Sequence, residues 1–395
     1  MIFNLAIILI IAFIMGEIFI RLKLPALIGM ILTGIVLGPS LLNFIDPRVL
    51  QISSDLRLIA LIIILLRAGF GIRKDELNEV KSSVIKLSFI PVLLEGLGIA
   101  ALSVYFLNFS FVEGGILGFI IAAVSPAVIV PRMLNLQERK IMTEHRVPTI
   151  VLAGASVDDI VAITFFSSFL GIYLGKNLNI FYQFISIPLA IILGILSGTV
   201  IGYLLIYIFK RYSIRDTKKT LIILAIAIIF NGLENSIKSQ LGVEVATLLG
   251  VMSIAFIILE KLPKVGNRLA LKFNKMWIFS EIILFVMVGA GVNIEIGKNY
   301  LATALIIISL GLLLRGAGTY ISLMGSQLNF TERLFVVVSY IPKATVQAAI
   351  GSIPLAAGVK SGEIILAIAV ISILFTAPLG AISIDQFTKK VAREN

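Results

Sequence analysis

The strongest constraint in this sequence is an apolar run from Pro148 to Tyr173 that carries two adjacent carboxylates, Asp158 and Asp159, near its middle. The run is long enough to cross a bilayer, because a hydrocarbon core about 30 Å thick needs about 20 helical residues. At about 1.5 Å per residue, both aspartates lie near the midplane. A charge there costs roughly 3 to more than 10 kcal/mol. A structural salt bridge would need only one aspartate, so we favour a cation or proton site.

Composition places the whole chain in a membrane. Of 395 residues, 59% are hydrophobic and 14% are charged, whereas about a quarter are charged in soluble domains. The net charge of +11 therefore does not predict a nucleic-acid partner. Cysteine is absent and His145 is the single histidine, which excludes thiolate and histidine metal sites. We expect no cofactor.

Hydropathy predicts an all-α membrane protein with about thirteen transmembrane helices. The predicted spans are 2–20, 25–44, 56–72, 83–107, 115–136, 148–173, 179–208, 218–237, 243–260, 275–294, 300–325, 333–357 and 362–385.

The distribution of basic residues predicts the orientation of these spans. The loops after the odd-numbered spans, together with the C-terminal tail, hold 22 of the 33 Lys and Arg residues, and the alternate loops hold six. Cytoplasmic loops carry the excess of Lys and Arg. We therefore expect the N-terminus outside and the C-terminus in the cytoplasm.

Proline placement singles out two spans, the fifth with Pro126 and the twelfth with Pro342, each about ten residues from the start of its span. A proline lacks the N–H group of a helical hydrogen bond, so each frees a backbone carbonyl near the midplane. Paired interrupted helices in the two halves of a transporter mark an inverted repeat and its binding site. The sequence therefore predicts that spans four to six and eleven to thirteen are inverted repeats whose unwound helices cross.

Three further charged residues fall inside the predicted repeats. Glu95 and Arg315 lie at similar depth in the first helix of each repeat, and neither charge is tolerable alone. We predict a permanent Glu95–Arg315 ion pair, since arginine does not release its proton. Lys343 follows Pro342 at the predicted crossing, where two roles stay open. Its ammonium group either satisfies the freed carbonyls or exchanges protons.

Several motifs resemble those of the NHA subfamily of monovalent cation/proton antiporters, in the larger group that includes bacterial NhaA and NapA. The likeness runs from about Leu24 to Ile384. The motifs that carry it are Leu66-Arg67-Ala68-Gly69, Ser125 to Pro131, Ala153 to Ile163, Pro342 to Gly351, Thr376-Ala377-Pro378, and the surroundings of Glu95 and Arg315.

This resemblance implies an NhaA-like fold in which a scaffold dimerises and a core carries the crossed helices. The scaffold would comprise residues 1–80 and 176–298, and the two core repeats residues 81–175 and 299–388. The resemblance also implies a homodimer in the cell (inner) membrane that binds Na⁺ or Li⁺ and exchanges it for protons.

The resemblance assigns the transported cation to Asp159, with help from Asp158. Hard oxygen ligands suit an alkali cation, and Ser125 with the freed carbonyls beside it would complete the coordination. Neutralising Asp159 with either a cation or a proton would allow the core to move past the scaffold, which couples the two fluxes.

Two other functions use some of the same residues. An intramembrane aspartyl protease also needs two aspartates, but adjacent helical residues point about 100° apart, whereas a catalytic dyad shares one proton between facing carboxylates. A cation-coupled symporter of an organic anion is the stronger alternative, and Lys343 is the basic residue that would bind its anion.

Overall fold

The computed structural model describes residues 2–72, 74, 81–175, 180–234 and 245–394, and the regular secondary structure of these residues is helical, with no strand among them. The predicted span limits 179, 237 and 243 and the predicted domain limits 80 and 176 lie outside the described residues. The helices are α1 Ile2–Arg21, α2 Ala26–Leu37, α3 Pro47–Gln51, α4 Ser53–Gly69, α5 Lys81–Leu107, α6 Phe111–Ala122, α7 Pro126–Glu138, α8 Val147–Tyr173, α9 Ile180–Arg211, α10 Asp216–Gly232, α11 Thr247–Lys261, α12 Pro263–Ala290, α13 Ile294–Ser322, α14 Phe330–Ser339, α15 Thr345–Ile350, α16 Ile353–Ala356 and α17 Gly362–Glu394.

Within the described residues, 8 helical stretches are long and apolar enough to cross a membrane. The chain is therefore an all-helical membrane protein, as its composition predicted, while the count of thirteen spans remains a prediction. Three of the predicted boundaries are wrong by seven residues or more. The thirteenth span, predicted to end at residue 385, continues as a helix to Glu394. The second span, predicted to reach residue 44, ends as a helix at Leu37 because Gly38-Pro39 follows it. The tenth, predicted to begin at residue 275, begins at Pro263, whose fixed φ suits a first helical turn.

The fifth and twelfth spans, which contain Pro126 and Pro342, are both interrupted. The fifth divides into α6 and α7, joined by an extended link, Ala123 to Ser125, with Pro126 opening the second half. The twelfth ends its first half at Ser339 and resumes at Thr345 after a link that contains Pro342. Each interruption leaves helix-terminal N–H and C=O groups without partners inside the helix.

The chain divides into two compact bodies. The first body consists of Met1–Ser54, Val80–Gly175 and Ile282–Asn395. The second consists of Asp55–Glu79 and Lys176–Glu281. The first body thus includes residues 1–54 and 282–298, which the sequence analysis assigned to the scaffold. The division of roles between scaffold and core stays a prediction.

Helices α5 and α13 pack closely in the first body, and this packing positions its buried charges. Gly318 of α13 faces the backbone of Pro91, and Gly311 faces Ile99, leaving no room for a side chain at either glycine. Since Pro91 precedes Ile99 whereas Gly311 precedes Gly318, the two helices run antiparallel. Arg315 lies between the two glycines and therefore faces α5 near Glu95.

Candidate functional site

The two links meet inside the first body. The Ser125 N–H of the first link donates to the Pro342 carbonyl of the second, with 2.8 Å between nitrogen and oxygen. Each link also binds a side chain of a neighbouring long helix. The Val124 N–H donates to Asp158 Oδ2 of α8 at 3.0 Å, and the Lys343 N–H donates to Thr376 Oγ1 of α17 at 2.9 Å.

Side chains bind all four carbonyls from Ile120 to Ala123, at the C-terminal end of α6. The Ala122 oxygen accepts a hydrogen bond from Arg315 and a longer one, at 3.4 Å, from Lys343 Nζ. The amide nitrogen of Gln347 donates to the carbonyls of Ile120, Ile121 and Ala123. Helix ends buried without partners are rare, and here two cations and an amide supply the partners.

Four buried charges form a continuous chain beside this helix end. Lys343 Nζ lies 2.6 Å from Glu95 Oε2, and Arg315 Nη1 lies 2.8 Å from the same oxygen. Arg315 Nη2 lies 2.7 Å from Asp158 Oδ1. None of the four side chains is more than 1% exposed. Two acids and two bases balance, so this chain carries no net charge.

Asp159 lies outside that balanced set. It is buried, at 6% exposure, yet among the described residues no Lys, Arg or His forms an ion pair with it. Its Oδ1 atom is buried without a hydrogen-bond partner in the same part of the chain. A buried carboxylate is expected to be paired or protonated. Among the described residues no basic side chain neutralises Asp159, so its burial requires a bound proton or cation.

Two buried hydroxyl groups without hydrogen-bond partners in the described part of the chain lie beside the crossing, one at the end of the first link and one at the start of the helix that follows the second link. Ser125 Oγ and Thr345 Oγ1 are buried and, within the described residues, make no hydrogen bond. Ser125 follows Val124, whose N–H binds Asp158, so its hydroxyl lies on the link beside the aspartate pair. No group of three or more His, Cys, Asp or Glu side chains able to hold a metal ion occurs in the described residues.

The structure thus adds contacts that the sequence analysis missed. Glu95 was assigned only to Arg315, but it also binds Lys343, and Arg315 also binds Asp158. The sequence analysis left Lys343 either at the freed carbonyls or in proton exchange. The structure gives its ammonium group one such carbonyl, of Ala122 at 3.4 Å, and a closer carboxylate, of Glu95 at 2.6 Å. Gln347 was not singled out, although a polar amide four residues after Lys343 in an apolar run was a usable signal.

Comparisons with known proteins identify the family of the chain. The family model "Sodium/hydrogen exchanger, transmembrane" matches residues 7–390. The chain is 32% identical over 392 residues to human sodium/hydrogen exchanger 9B2, an alignment that covers 94% of this chain and 71% of that protein. It is 31% identical over 372 residues to human sodium/hydrogen exchanger 9B1, covering 91% and 71% respectively.

A solved structure shares the fold. The sodium proton antiporter MjNhaP1 from Methanocaldococcus jannaschii matches with a TM-score of 0.86 at 21% identity, covering 99% of this chain and 98% of that one. The monovalent cation/proton antiporter family indicated by the sequence motifs is therefore confirmed. The chain belongs to the sodium/hydrogen exchanger family of transmembrane proteins, which are transporters and not enzymes.

Proposed function

We propose that this protein is a secondary active antiporter that exchanges Na⁺, or Li⁺, for H⁺ by alternating access, with cation and proton competing for Asp159. The observation that carries the proposal is the charge balance at the crossing. Asp158, Glu95, Arg315 and Lys343 neutralise one another. Asp159 remains as a single buried negative charge, which one monovalent cation or one proton neutralises.

Competition for that charge supplies the coupling. An empty, ionised Asp159 is a bare charge that is costly to move past apolar surface. Occupation by Na⁺ or by H⁺ removes this cost, so the core changes conformation only when loaded. Cation movement in one direction is thereby linked to proton movement in the other.

The proposed cation ligands are oxygen atoms of Asp159, Asp158 and Ser125. Each oxygen of Asp158 already accepts one hydrogen bond, from Arg315 or from the Val124 N–H. A carboxylate oxygen has a second lone pair, so Asp158 keeps the capacity to contact a cation. Arg315 and Val124 hold it in a fixed orientation, which makes Asp158 a supporting ligand and Asp159 the group that changes its charge state.

An inverted repeat underlies this site in our proposal, with thirteen spans, the N-terminus outside and a homodimer in the cell membrane. The antiparallel packing of α5 and α13 supports it, since these are the first helices of the two repeats. The hydrogen bonds made by the two links also support the inverted repeat. An N–H of each link donates to a side chain of its own repeat's third helix, Asp158 in one repeat and Thr376 in the other.

Symport of an organic anion is less well supported. It would need a basic group free to bind the anion, and Lys343 was the candidate. Lys343 is wholly buried and lies 2.6 Å from Glu95, so an anion would have to displace a carboxylate from a dry ion pair. We therefore favour antiport.

Proteoliposomes with an imposed pH gradient test the proposal. Addition of Na⁺ or Li⁺ should dissipate the gradient with wild type and fail to do so with Asp159→Asn. Asp216→Asn is the matched control, because Asp216 forms a partly exposed pair with Arg268 at 2.6 Å in the second body. Normal exchange by Asp159→Asn would refute the role of Asp159. Cation flux that requires an organic anion would favour symport.

A further inference from the structure

Three backbone oxygens converge on one nitrogen at the C-terminal end of α6. Gln347 Nε2 lies 3.0 Å from the Ile120 oxygen, 3.2 Å from that of Ile121 and 2.8 Å from that of Ala123. We call these three carbonyls, of Ile120, Ile121 and Ala123, the carbonyl cup. The cup exists because α6 stops at Ala122, and the last carbonyls of a helix have no partner within it.

The cup fixes the orientation of the Gln347 amide. The amide oxygen in the same position would face three acceptors, so only the NH₂ group fits there. Its two hydrogens are shared among the three carbonyls. The other amide atom, Oε1, is buried and has no hydrogen-bond partner among the described residues. Gln347 is completely buried, so no competing solvent contact explains its placement.

A cluster of converging carbonyls is a site that monovalent cations favour. Rings of backbone carbonyls replace the hydration shell of an ion in selective channels, and the C-terminal end of a helix adds a negative partial charge. The adjacent carbonyl, of Ala122, is contacted by two cationic side chains, Arg315 and Lys343. Within the described residues, the other carbonyls of this helix end receive only the neutral amide of Gln347.

We propose that Gln347 is a specificity-determining positioning residue. Its neutral amide occupies the carbonyl cup and closes it to the transported cation, so that binding is confined to Asp159. This inference rests on the proposed function, because it concerns where the cation does not bind. It follows that removing the amide donors while leaving space or charge in the cup creates a second cation site that wild type lacks.

Three variants separate this role from simple sealing of the helix end. Gln347→Glu keeps the shape and places a carboxylate against the three carbonyls. Gln347→Ala leaves the cup open. Gln347→Met fills the same space without donors and is the matched control. Each is made in full-length protein carrying Asp159→Asn, so that the proposed transport site no longer contributes.

The measurement is the thermal midpoint of the purified protein during titration with Na⁺, with choline as the reference ion. A ligand that binds only the folded state raises the midpoint with the logarithm of its concentration. We expect Gln347→Glu and Gln347→Ala each to add a Na⁺-dependent upward shift to that of Asp159→Asn alone. We expect Gln347→Met to lower the midpoint in the absence of Na⁺ and to add no shift.

If neither Gln347→Glu nor Gln347→Ala adds a Na⁺-dependent shift, Gln347 only seals the helix end and the inference is wrong. Should Gln347→Glu fail to fold, Gln347→Ala decides alone, since it introduces no charge. Failure of the proposed function is visible separately, because the Na⁺ response of Asp159→Asn would then equal that of wild type.

Discussion

Glu95 offers the sharpest test of the buried charge chain, because it has two basic partners and, in the described part of the chain, only one of them has a second carboxylate to pair with. Arg315 retains Asp158 at 2.7 Å when Glu95 is neutralised. Among the described residues, Lys343 retains only the Ala122 carbonyl at 3.4 Å. Glu95→Gln should therefore leave Lys343 as the uncompensated charge, and removing one partner of a buried ion pair costs about 3–5 kcal/mol.

Second substitutions should then rank in a definite order. Glu95→Gln with Lys343→Met removes both charges of one pair, so we expect most of the lost stability to return. Glu95→Gln with Arg315→Met should be less stable than Glu95→Gln alone, because it leaves both Lys343 and Asp158 without an ion-pair partner. The sequence analysis, which paired Glu95 with Arg315 only, would predict recovery in the second case.

Thermal unfolding of the purified variants, followed by loss of monodisperse protein, measures this order in a double-mutant cycle. Asp216→Asn with or without Arg268→Gln is the control cycle, since a solvent-exposed pair contributes about 1 kcal/mol or less. Additive losses for Glu95 and Lys343 would refute their coupling. Greater recovery with Arg315→Met than with Lys343→Met would refute the ranking of the two partners.

Three other predictions concern single substitutions. Asp158→Asn should raise the Na⁺ concentration for half-maximal exchange in proteoliposomes but be milder than Asp159→Asn, because Asp158 supports the site; equal severity would contradict this. Lys343→Gln should lower stability and leave the proton-to-cation ratio unchanged in reversal-potential measurements; a changed ratio would mean that Lys343 carries a proton. Glu332 raises the pKa of His145 through a hydrogen bond and through its negative charge. The pair therefore stabilises the folded state at mildly acidic pH, and this contribution is lost as the pH rises through the raised pKa. The midpoint difference between wild type and His145→Gln should therefore vanish at alkaline pH, and a difference independent of pH would refute the assignment.

Much of the fold could be predicted from sequence patterns, because the bilayer allows few alternative structures. An apolar run of sufficient length must be helical, since no water satisfies its backbone groups. Proline then indicated where two of these helices are interrupted, at Pro126 and Pro342, because it lacks the N–H group of a helical hydrogen bond. The ends at Leu37 and Pro263 were misjudged because hydropathy changes gradually, whereas Gly38-Pro39 and Pro263 act locally through φ and the missing N–H.

The contacts within the site were less accessible to sequence reasoning. Opposite charges at matching depth were enough to associate Glu95 with Arg315. Lys343 lies within a non-helical link and Gln347 just after it, however, so the directions of their side chains depend on backbone dihedrals that are not periodic. Ala344, for example, has φ −162° and ψ −69°, which no helical register would predict. Which carbonyl or carboxylate each side chain reaches is therefore decided by the tertiary structure.

The central claim is that a cation and a proton compete for Asp159, and proton release on cation binding tests it most directly. Purified protein in weakly buffered detergent solution is titrated with Na⁺ while the pH is recorded, with choline as the control for ionic strength. Binding of a cation to a protonated ligand releases the proton. The account predicts release of about one proton per bound Na⁺ from wild type, the same with Li⁺, and none from Asp159→Asn. Undiminished release from Asp159→Asn would contradict it.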